Sequence, residues 1–395
     1  MRSKIAIVTP RFGNLAFGGL EVHAQTLSEL LEETMDVTIF TTTSYDYRTW
    51  ANDKSLLSNR DTIFNNTQIL RFPVKKQRSP KKFEILASKI INSQTLDNSV
   101  LEQKWLEEQG PIVPELVDAV LERIEEFEYV ILFSYLYWPI LKLLHVPTVR
   151  KKAILIPLLH REFPIYFSIY KNTFHDDLHY IFNTIEEKNL FEEVFQFAPT
   201  KSSTIGVFPR LVPTKISQLR RPYFLCVGRI DPGKGTDILT SWYETWSKFT
   251  NNPPDLLILG EGPKELEKSN IFFLGVVNEE EKVSLLQNCL GLIHLSFKES
   301  LSLALLEAWS LGKPVLVNSK SEVLLGHCIR SGGGLWCSDA ESFYETLTLL
   351  FKNPELRKKL GENGKLYVEK NFSREVVSKK LGDFFRSIPR AGLKF

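Results

Sequence analysis

Short apolar runs rich in β-branched residues recur along the chain, and between them apolar positions repeat at helical spacing. The first series lies at residues 5–8, 37–40, 130–133, 153–156 and 180–182. These runs are continuously apolar instead of alternating, the pattern of strands covered on both faces, so they predict a parallel sheet wrapped by helices. A second series, at residues 223–227, 257–259, 271–274, 292–295 and 314–317, repeats the arrangement. Two Rossmann-like, doubly wound α/β domains, at 1–208 and 222–371, are the economical account. Residues 209–221 are expected to link them, because Pro209, Pro213 and the basic residues Arg210, Lys215, Arg220 and Arg221 interrupt both periodicities before Pro222. From Asn353-Pro354, which supplies an N-cap and a first-turn proline, the pattern is purely helical. Ser373 is placed to cap a last helix with Val377, Leu381, Phe384 and Phe385 on one face, and residues 372–395 are expected to pack back toward the N-terminal domain.

Two stretches need separate treatment. Residues 45–111 are the least regular part, with a basic run at 75–82 (Lys75, Lys76, Arg78, Lys81, Lys82) leading into a helix-patterned segment that ends at Ile91. A solvated loop and an ordinary packed helix account for this composition. The sharper alternative is a basic amphipathic segment at 75–91 that touches an anionic acceptor or a membrane surface. Residues 129–146 are apolar, but Pro139 and Lys142 break them short of the ~20 residues a membrane span needs, so they read as a buried strand and a short helix. The apolar run after Lys4 stops at Thr9-Pro10, too short for a signal peptide, and reads as the first strand.

The 49 Lys and Arg nearly balance the 47 Asp and Glu, which argues against a nucleic-acid binder driven by bulk charge. Cys226, Cys289, Cys328 and Cys337 are far apart and form no Cys-x-x-Cys pair, so they suggest neither a zinc site nor a disulfide scaffold. A reducing, cytoplasmic setting is expected, peripheral on the inner face of the membrane if residues 75–91 make that contact.

Ligands of doubly wound sheets bind beyond the C-terminal ends of the strands, so the chemistry is sought there. After the first strand, a loop ending in Gly18-Gly19 leads into a helix, where paired glycines let the backbone approach a phosphate. No Gly-x-Gly-x-x-Gly is present, so a nicotinamide or flavin fingerprint is lacking, and Gly260-Glu-Gly262 reads as a turn. After the first strand of the second domain comes Val227-Gly-Arg-Ile-Asp-Pro-Gly-Lys-Gly235. Arg229 offers a planar fork and Lys234 a mobile point charge, a pair suited to a pyrophosphate. Further on, Glu299 follows a strand and Glu307 lies in the next helix; free N–H groups near Ser300 to Leu303 would face an anion.

In this order on two α/β domains, Gly18-Gly19, the Arg229 and Lys234 loop and Glu299-x7-Glu307 resemble the family-4, group 1 retaining glycosyltransferases with the GT-B fold. The similarity extends to Gly-Gly-x-Glu-x-His-Ala (18–24), Thr-Trp-Ala-Asn (49–52) and Leu-Glu-Ala-Trp-x-Leu-Gly-x-Pro-Val-Leu-Val-Asn (306–318). The resemblance implies two domains facing a central cleft, the first on the acceptor side and the second holding most of a nucleotide-sugar donor. Gly18, Gly19, Arg229, Lys234, Ser302 and Leu303 would bind the donor diphosphate and Glu307 the ribose. Glu299 on the donor sugar and His160, which matches a family histidine over that sugar, would be the catalytic residues. The implied activity is transfer, with retention of configuration, to a glycan or lipid-linked acceptor such as a surface-polysaccharide or lipopolysaccharide precursor, with no cofactor, since the nucleotide sugar is a substrate.

Two departures stand out. The family's Glu-Gly-Phe-Gly is here Glu299-Ser-Leu-Ser302, which bears on donor choice, and Arg161 follows His160 where relatives often carry an acid, which bears on acceptor charge. The sequence contains no Asp-x-Asp, so metal-independent transfer is expected, with no metal ligands. The alternatives are a non-catalytic GT-B-like module that binds a sugar nucleotide or glycan, and an epimerase or phosphorylase of the same architecture. Hydrolysis by two carboxylates leaves the phosphate-type loops unexplained.

Overall fold

The structure, a computed structural model, describes residues 2–13, 18–64, 66–93, 98–212, 221–262 and 269–388. It divides at Phe208 into two units, the first holding the residues up to Val207 and those from Ser378 on, the second Phe208–Val377. Residues 14–17 of the first glycine loop, 213–220 of the expected linker and 389–395 of the C-terminal segment lie outside the described residues.

In the first unit the strands are β1 (Lys4–Val8), β2 (Asp36–Thr42), β3 (Asp61–Phe64), β4 (Thr67–Phe72), β5 (Tyr129–Phe133), β6 (Ala153–Ile156), β7 (His179–Phe182) and β8 (Ser202–Thr204). They form one sheet in the order β3-β4-β2-β1-β5-β6-β7-β8. The order runs outward both ways from the β1/β5 pair, as in a doubly wound sheet. Ile5 to Val8 and Val130 to Phe133 show no exposed surface, which is why these central strands are continuous apolar runs. Their upper and lower faces are covered by helices, and one apolar core gathers Val8, Leu132, Leu155 and Tyr180 with Trp105 and Phe191.

The segment 45–111 is more regular than its composition suggests. It contains the β3–β4 pair and helices at Lys54–Ser58, Pro80–Ile91 and Ser99–Gln109. β3 runs antiparallel to β4, so the sheet is not wholly parallel. The inward positions of β4 are Thr67, Ile69 and Arg71, two of them polar, so burial alternates along this strand where hydrophobicity does not. Ser79 caps the helix that follows, Phe83 packs on Trp105 with ring centroids 5.4 Å apart, and Lys76 pairs with Glu108 at 2.6 Å. Lys75, Lys81 and Lys82 are exposed. The apolar stretch 129–146 resolves into β5 and the helix Trp138–Leu144; among the described residues no helix is long and apolar enough to cross a membrane.

The second unit has β9 (Tyr223–Val227), β10 (Asp255–Leu259), β11 (Ile271–Gly275), β12 (Leu292–His294), β13 (Val315–Asn318) and β14 (Gly334–Cys337). All pair in parallel, in the order β11-β10-β9-β12-β13-β14. Its core joins Phe224, Ile258, Ile293 and Leu316 to Trp246 and Phe343 from the covering helices. Asn353 accepts the Leu356 N–H at 2.9 Å and starts the helix Pro354–Phe372; Ser373 accepts the Val376 N–H at 3.3 Å at the start of the last helix, Arg374–Ser387. Val377, Leu381 and Phe384 of that helix are buried, and Phe385 meets Tyr129 of the first sheet at 5.4 Å. All four cysteines are buried, unpaired thiols.

Candidate functional site

In the second sheet the chain order reverses between β9 and β12, and the loops after these two strands carry most of the expected donor residues. After β9, the Asp231 side chain accepts the Lys234 N–H at 3.0 Å and starts the short turn Pro232–Lys234. Gly235 follows with φ +67°, and a Cβ there would lie 2.2 Å from the Leu295 carbonyl oxygen, so only glycine lets this turn seat against the β12 loop. Phe297 N–H then donates to the Gly233 carbonyl at 3.1 Å. The two loops are thereby locked together, and Lys234 Nζ lies 2.6 Å from Glu299 Oε1. His294, the last residue of β12, approaches the same oxygen through Nε2 at 3.0 Å. Burial alone would raise the Glu299 carboxyl, but the Lys234 ammonium and the His294 ring hold it well below the usual carboxylate range. Glu299 is therefore a fixed anion, and Lys234 and His294 converge on it.

Gly260-Glu-Gly262 has a packing role at the same place. A Cβ on Gly260 would sit 1.8 Å from the Gly228 carbonyl oxygen, and Ile230 N–H donates to the Glu261 carbonyl at 2.9 Å. The loop after β10 thus braces the loop that carries Arg229. Arg229 itself is exposed, with Nε 3.4 Å from Asp231 Oδ2.

The helix Leu303–Ser310 begins at this edge. Ser302 precedes it in a left-handed conformation, φ +74°, and its buried Oγ has no hydrogen-bond partner among the described residues. Leu303 is the first helical residue. Glu307, one turn in, is 5% exposed and takes a hydrogen bond from Lys282 Nζ at 2.9 Å. Burial raises the Glu307 carboxyl, with Lys282 pulling it back. Burial also works against the Lys282 charge, but Glu307 and Glu279, the latter at 2.8 Å, outweigh it and lift Lys282 above the ordinary lysine value.

The remaining expected residues are in the first unit. His160 follows β6 on a loop whose Leu158 is left-handed, φ +56°. The loop is held by the buried Glu187, which accepts N–H bonds from Leu159 at 2.7 Å and Asn183 at 2.6 Å. Burial pushes the Glu187 carboxyl up to about 8, against the pull of those N–H groups. The half-buried His160 ring faces oxygens at both nitrogens: the Leu158 carbonyl 3.3 Å from Nδ1, and Glu162 Oε2 3.3 Å from Nε2. Glu162 Oε1 accepts the Tyr135 hydroxyl at 2.7 Å. Gly18 and Gly19 are exposed at the start of the helix Gly19–Leu31. A Cβ on Gly18 would meet the Glu21 carboxylate at 2.3 Å, and that buried carboxylate pairs with Arg11 at 2.5 Å.

The structure thus joins Lys234 to Glu299 and sets Leu303 and Glu307 on one short helix, with Ser302 just before it, while His160, Gly18 and Gly19 stand on a separate unit. Sequence reasoning missed the groups that hold these residues: His294, Lys282, Glu162 and Glu187. His294 was within reach, being five residues before Glu299 at a strand end. Lys282 and Glu187, each more than twenty residues from what they hold, leave no signal in the local pattern.

Residues 212–367 match the family described as Glycosyl transferases group 1. Over 161 residues, the chain is 29% identical to an alpha-1,3/1,6-mannosyltransferase, ALG2, of Dictyostelium discoideum, covering 40% of this chain and 38% of that protein. The chain spans only about two-fifths of the length of the curated relatives it matches. Among solved structures it is similar to a sucrose-phosphate synthase from Thermosynechococcus elongatus, with a TM-score of 0.69, 16% identity and 98% of each chain covered. It is similar to the same degree to Anabaena HepE in complex with UDP and glucose, with a TM-score of 0.68, 16% identity, and 98% of this chain and all of that one covered. The chain has the two-domain, Rossmann-like GT-B fold, and the residues that match the Glycosyl transferases group 1 family lie within its second unit.

Proposed function

We propose that the protein is a glycosyltransferase of family 4 that moves a hexosyl group from a nucleotide-sugar donor to a glycan or lipid-linked acceptor, with retention of configuration and without a metal. The observation that carries this reading is the Lys234–Glu299–His294 cluster at the switch point of the second sheet. Such a leaving group develops negative charge on the diphosphate as the glycosidic bond breaks. Arg229, Lys234 and the N–H groups at Ser302 and Leu303 are the groups of the second unit that would meet it, with Gly18 and Gly19 supplied by the first. Glu299 accepts hydrogen bonds from the donor sugar, Glu307 from the ribose, and His160 lies over the sugar. The acceptor oxygen attacks the anomeric carbon from the face the diphosphate leaves, and the acceptor's hydroxyl proton passes to the departing phosphate oxygen. Exposed Lys75, Lys76, Lys81 and Lys82 are the groups by which the protein would rest on an anionic membrane surface on the cytoplasmic side; unchanged liposome binding after their charge reversal would dismiss that contact.

The deciding measurement is calorimetric binding of UDP, GDP, ADP and dTDP to the wild type and to Lys234→Ala. One nucleotide is expected to bind, with affinity lowered by roughly tenfold or more in the variant. EDTA is expected to leave the transfer rate unchanged; a rate that vanishes with EDTA and returns with Mn²⁺ contradicts the metal-free mechanism. Failure of all four nucleotides to bind contradicts the donor site.

A further inference from the structure

Beside His160, the first unit contains a cavity of about 510 Å³ between the helices Pro80–Ile91 and Ser99–Gln109 and the segment after β6. This size falls in the ~300–1,000 Å³ range of small-molecule sites. Its wall is of two kinds. Ile91, Phe163 and Tyr166 supply apolar surface, and Tyr166 keeps 47% of its own surface open. Glu102 and Glu162 supply carboxylates, and Arg161 is the one cation among the described residues of the lining.

The charge of that lining is set by what its members already touch. Arg161 is engaged by Glu193, with Nη1–Oε1 and Nη2–Oε2 both at 2.8 Å, so its positive charge is compensated. Among the described residues Glu102 accepts hydrogen bonds from neutral groups, the Ser168 hydroxyl at 2.7 Å and the Ile169 N–H at 3.1 Å. Glu162 links the cavity to the His160 ring at 3.3 Å. A site of this kind suits a ring with apolar C–H faces and many hydroxyls: the faces stack on open aromatic surface, and carboxylates accept the hydroxyl hydrogens. The same carboxylates, with their cation already neutralised, repel phosphate or carboxylate groups.

We propose that this cavity is the acceptor subsite, and that it selects an uncharged hexopyranose unit over a phosphorylated or acidic one. The assignment rests on the glycosyltransferase reading and deepens it by naming the acceptor's chemical class. Arg161, the departure that left acceptor charge open, is thereby assigned to a pair with Glu193 instead of to an anionic substrate.

The test is saturation-transfer NMR on the full-length protein without nucleotide, using the methyl α-pyranosides of glucose, mannose and galactose and their 6-phosphates. At least one neutral glycoside is expected to bind, with its 6-phosphate weaker by roughly tenfold or more. Tyr166→Ala, at a half-exposed position, is expected to weaken the neutral glycoside by roughly fivefold, and Glu102→Gln to narrow the gap between neutral and phosphorylated forms. Equal or tighter binding of the phosphates, no binding of any neutral glycoside, or an unchanged affinity in Tyr166→Ala overturns the proposal. Nucleoside diphosphate binding, measured in parallel, fails independently: its loss with glycoside binding intact refutes the transferase reading and leaves the sugar site standing.

Discussion

At the scale of single residues, the loops after β9 and β12 combine strong pairing with local strain. Ser302 holds a left-handed backbone that costs a non-glycine residue about 1 kcal/mol, and its buried hydroxyl lacks a partner. Ser302→Gly is therefore expected to stabilise the protein by about 1 kcal/mol, read as a rise in thermal midpoint, because it relieves both terms at once. Lys234→Ala acts in the opposite direction. Glu299 has its pKa depressed in the folded state relative to an ordinary 4.5, so its pairing stabilises the fold above that value and the contribution is lost as pH falls below it. Removing Lys234 leaves a largely buried carboxylate with His294 alone, at a cost of about 3 kcal/mol near pH 7. In urea titrations the gap between wild type and variant should be widest at pH 7 and should shrink as pH is lowered through 4.5 and beyond. A gap that stays constant with pH would mean that Lys234 does not set the Glu299 charge.

At the scale of elements, position is set by groups that do not themselves meet a ligand. The loop bearing His160 is held by Glu187, from the first turn of the helix Ile185–Phe195, which Thr184 caps. With its pKa raised to about 8, Glu187 gives a contribution to stability that is fully present below about pH 4.5 and is lost as pH rises through about 8. Glu187→Gln should remove this slope, so that the variant's urea midpoint gains on the wild type between pH 5.5 and pH 8.5; parallel midpoints across that window count against a protonated Glu187. Legibility in the sequence followed the same division. Strands such as β1, β5, β9 and β13 were readable because burial on both faces leaves them apolar apart from the end residues Lys4 and Asn318. Three others were not: β8, at a sheet edge, is Ser202-Ser-Thr204, half-buried and polar; β14, also at an edge, begins at a glycine and leaves Trp336 45% exposed; and β4, one strand in from an edge, buries Thr67 and Arg71. Lys234, Glu299 and Glu307 stood out by spacing after strands, whereas the contacts that tune them, through His294 and Lys282, arise only when separate elements pack.

At the scale of the whole molecule, the question is how far each unit acts alone. The second unit, Phe208–Val377, has its own parallel sheet and its own core, and it is well above the ~40–60 residues at which a domain becomes marginal. Near its two ends, the Arg374 guanidinium lies 5.5 Å from the centre of the Phe208 ring, so a fragment from 208 to 377 would keep a contact that closes it on itself. Arg229, Lys234, Glu299, Ser302, Leu303 and Glu307 all belong to this unit, whereas Gly18, Gly19 and His160 do not. The fragment is therefore expected to unfold cooperatively in urea and, on the proposed assignment of the diphosphate contacts, to bind the preferred nucleoside diphosphate within roughly tenfold of the full chain. It should release no nucleoside diphosphate from a nucleotide sugar when acceptor is added, because the residue proposed over the donor sugar is absent. Calorimetry on fragment and full chain, each with and without Lys234→Ala, separates the possibilities. A folded fragment with no affinity would place the decisive diphosphate contacts at Gly18 and Gly19, whereas an affinity insensitive to Lys234→Ala in both proteins would remove the β9 loop from the donor site.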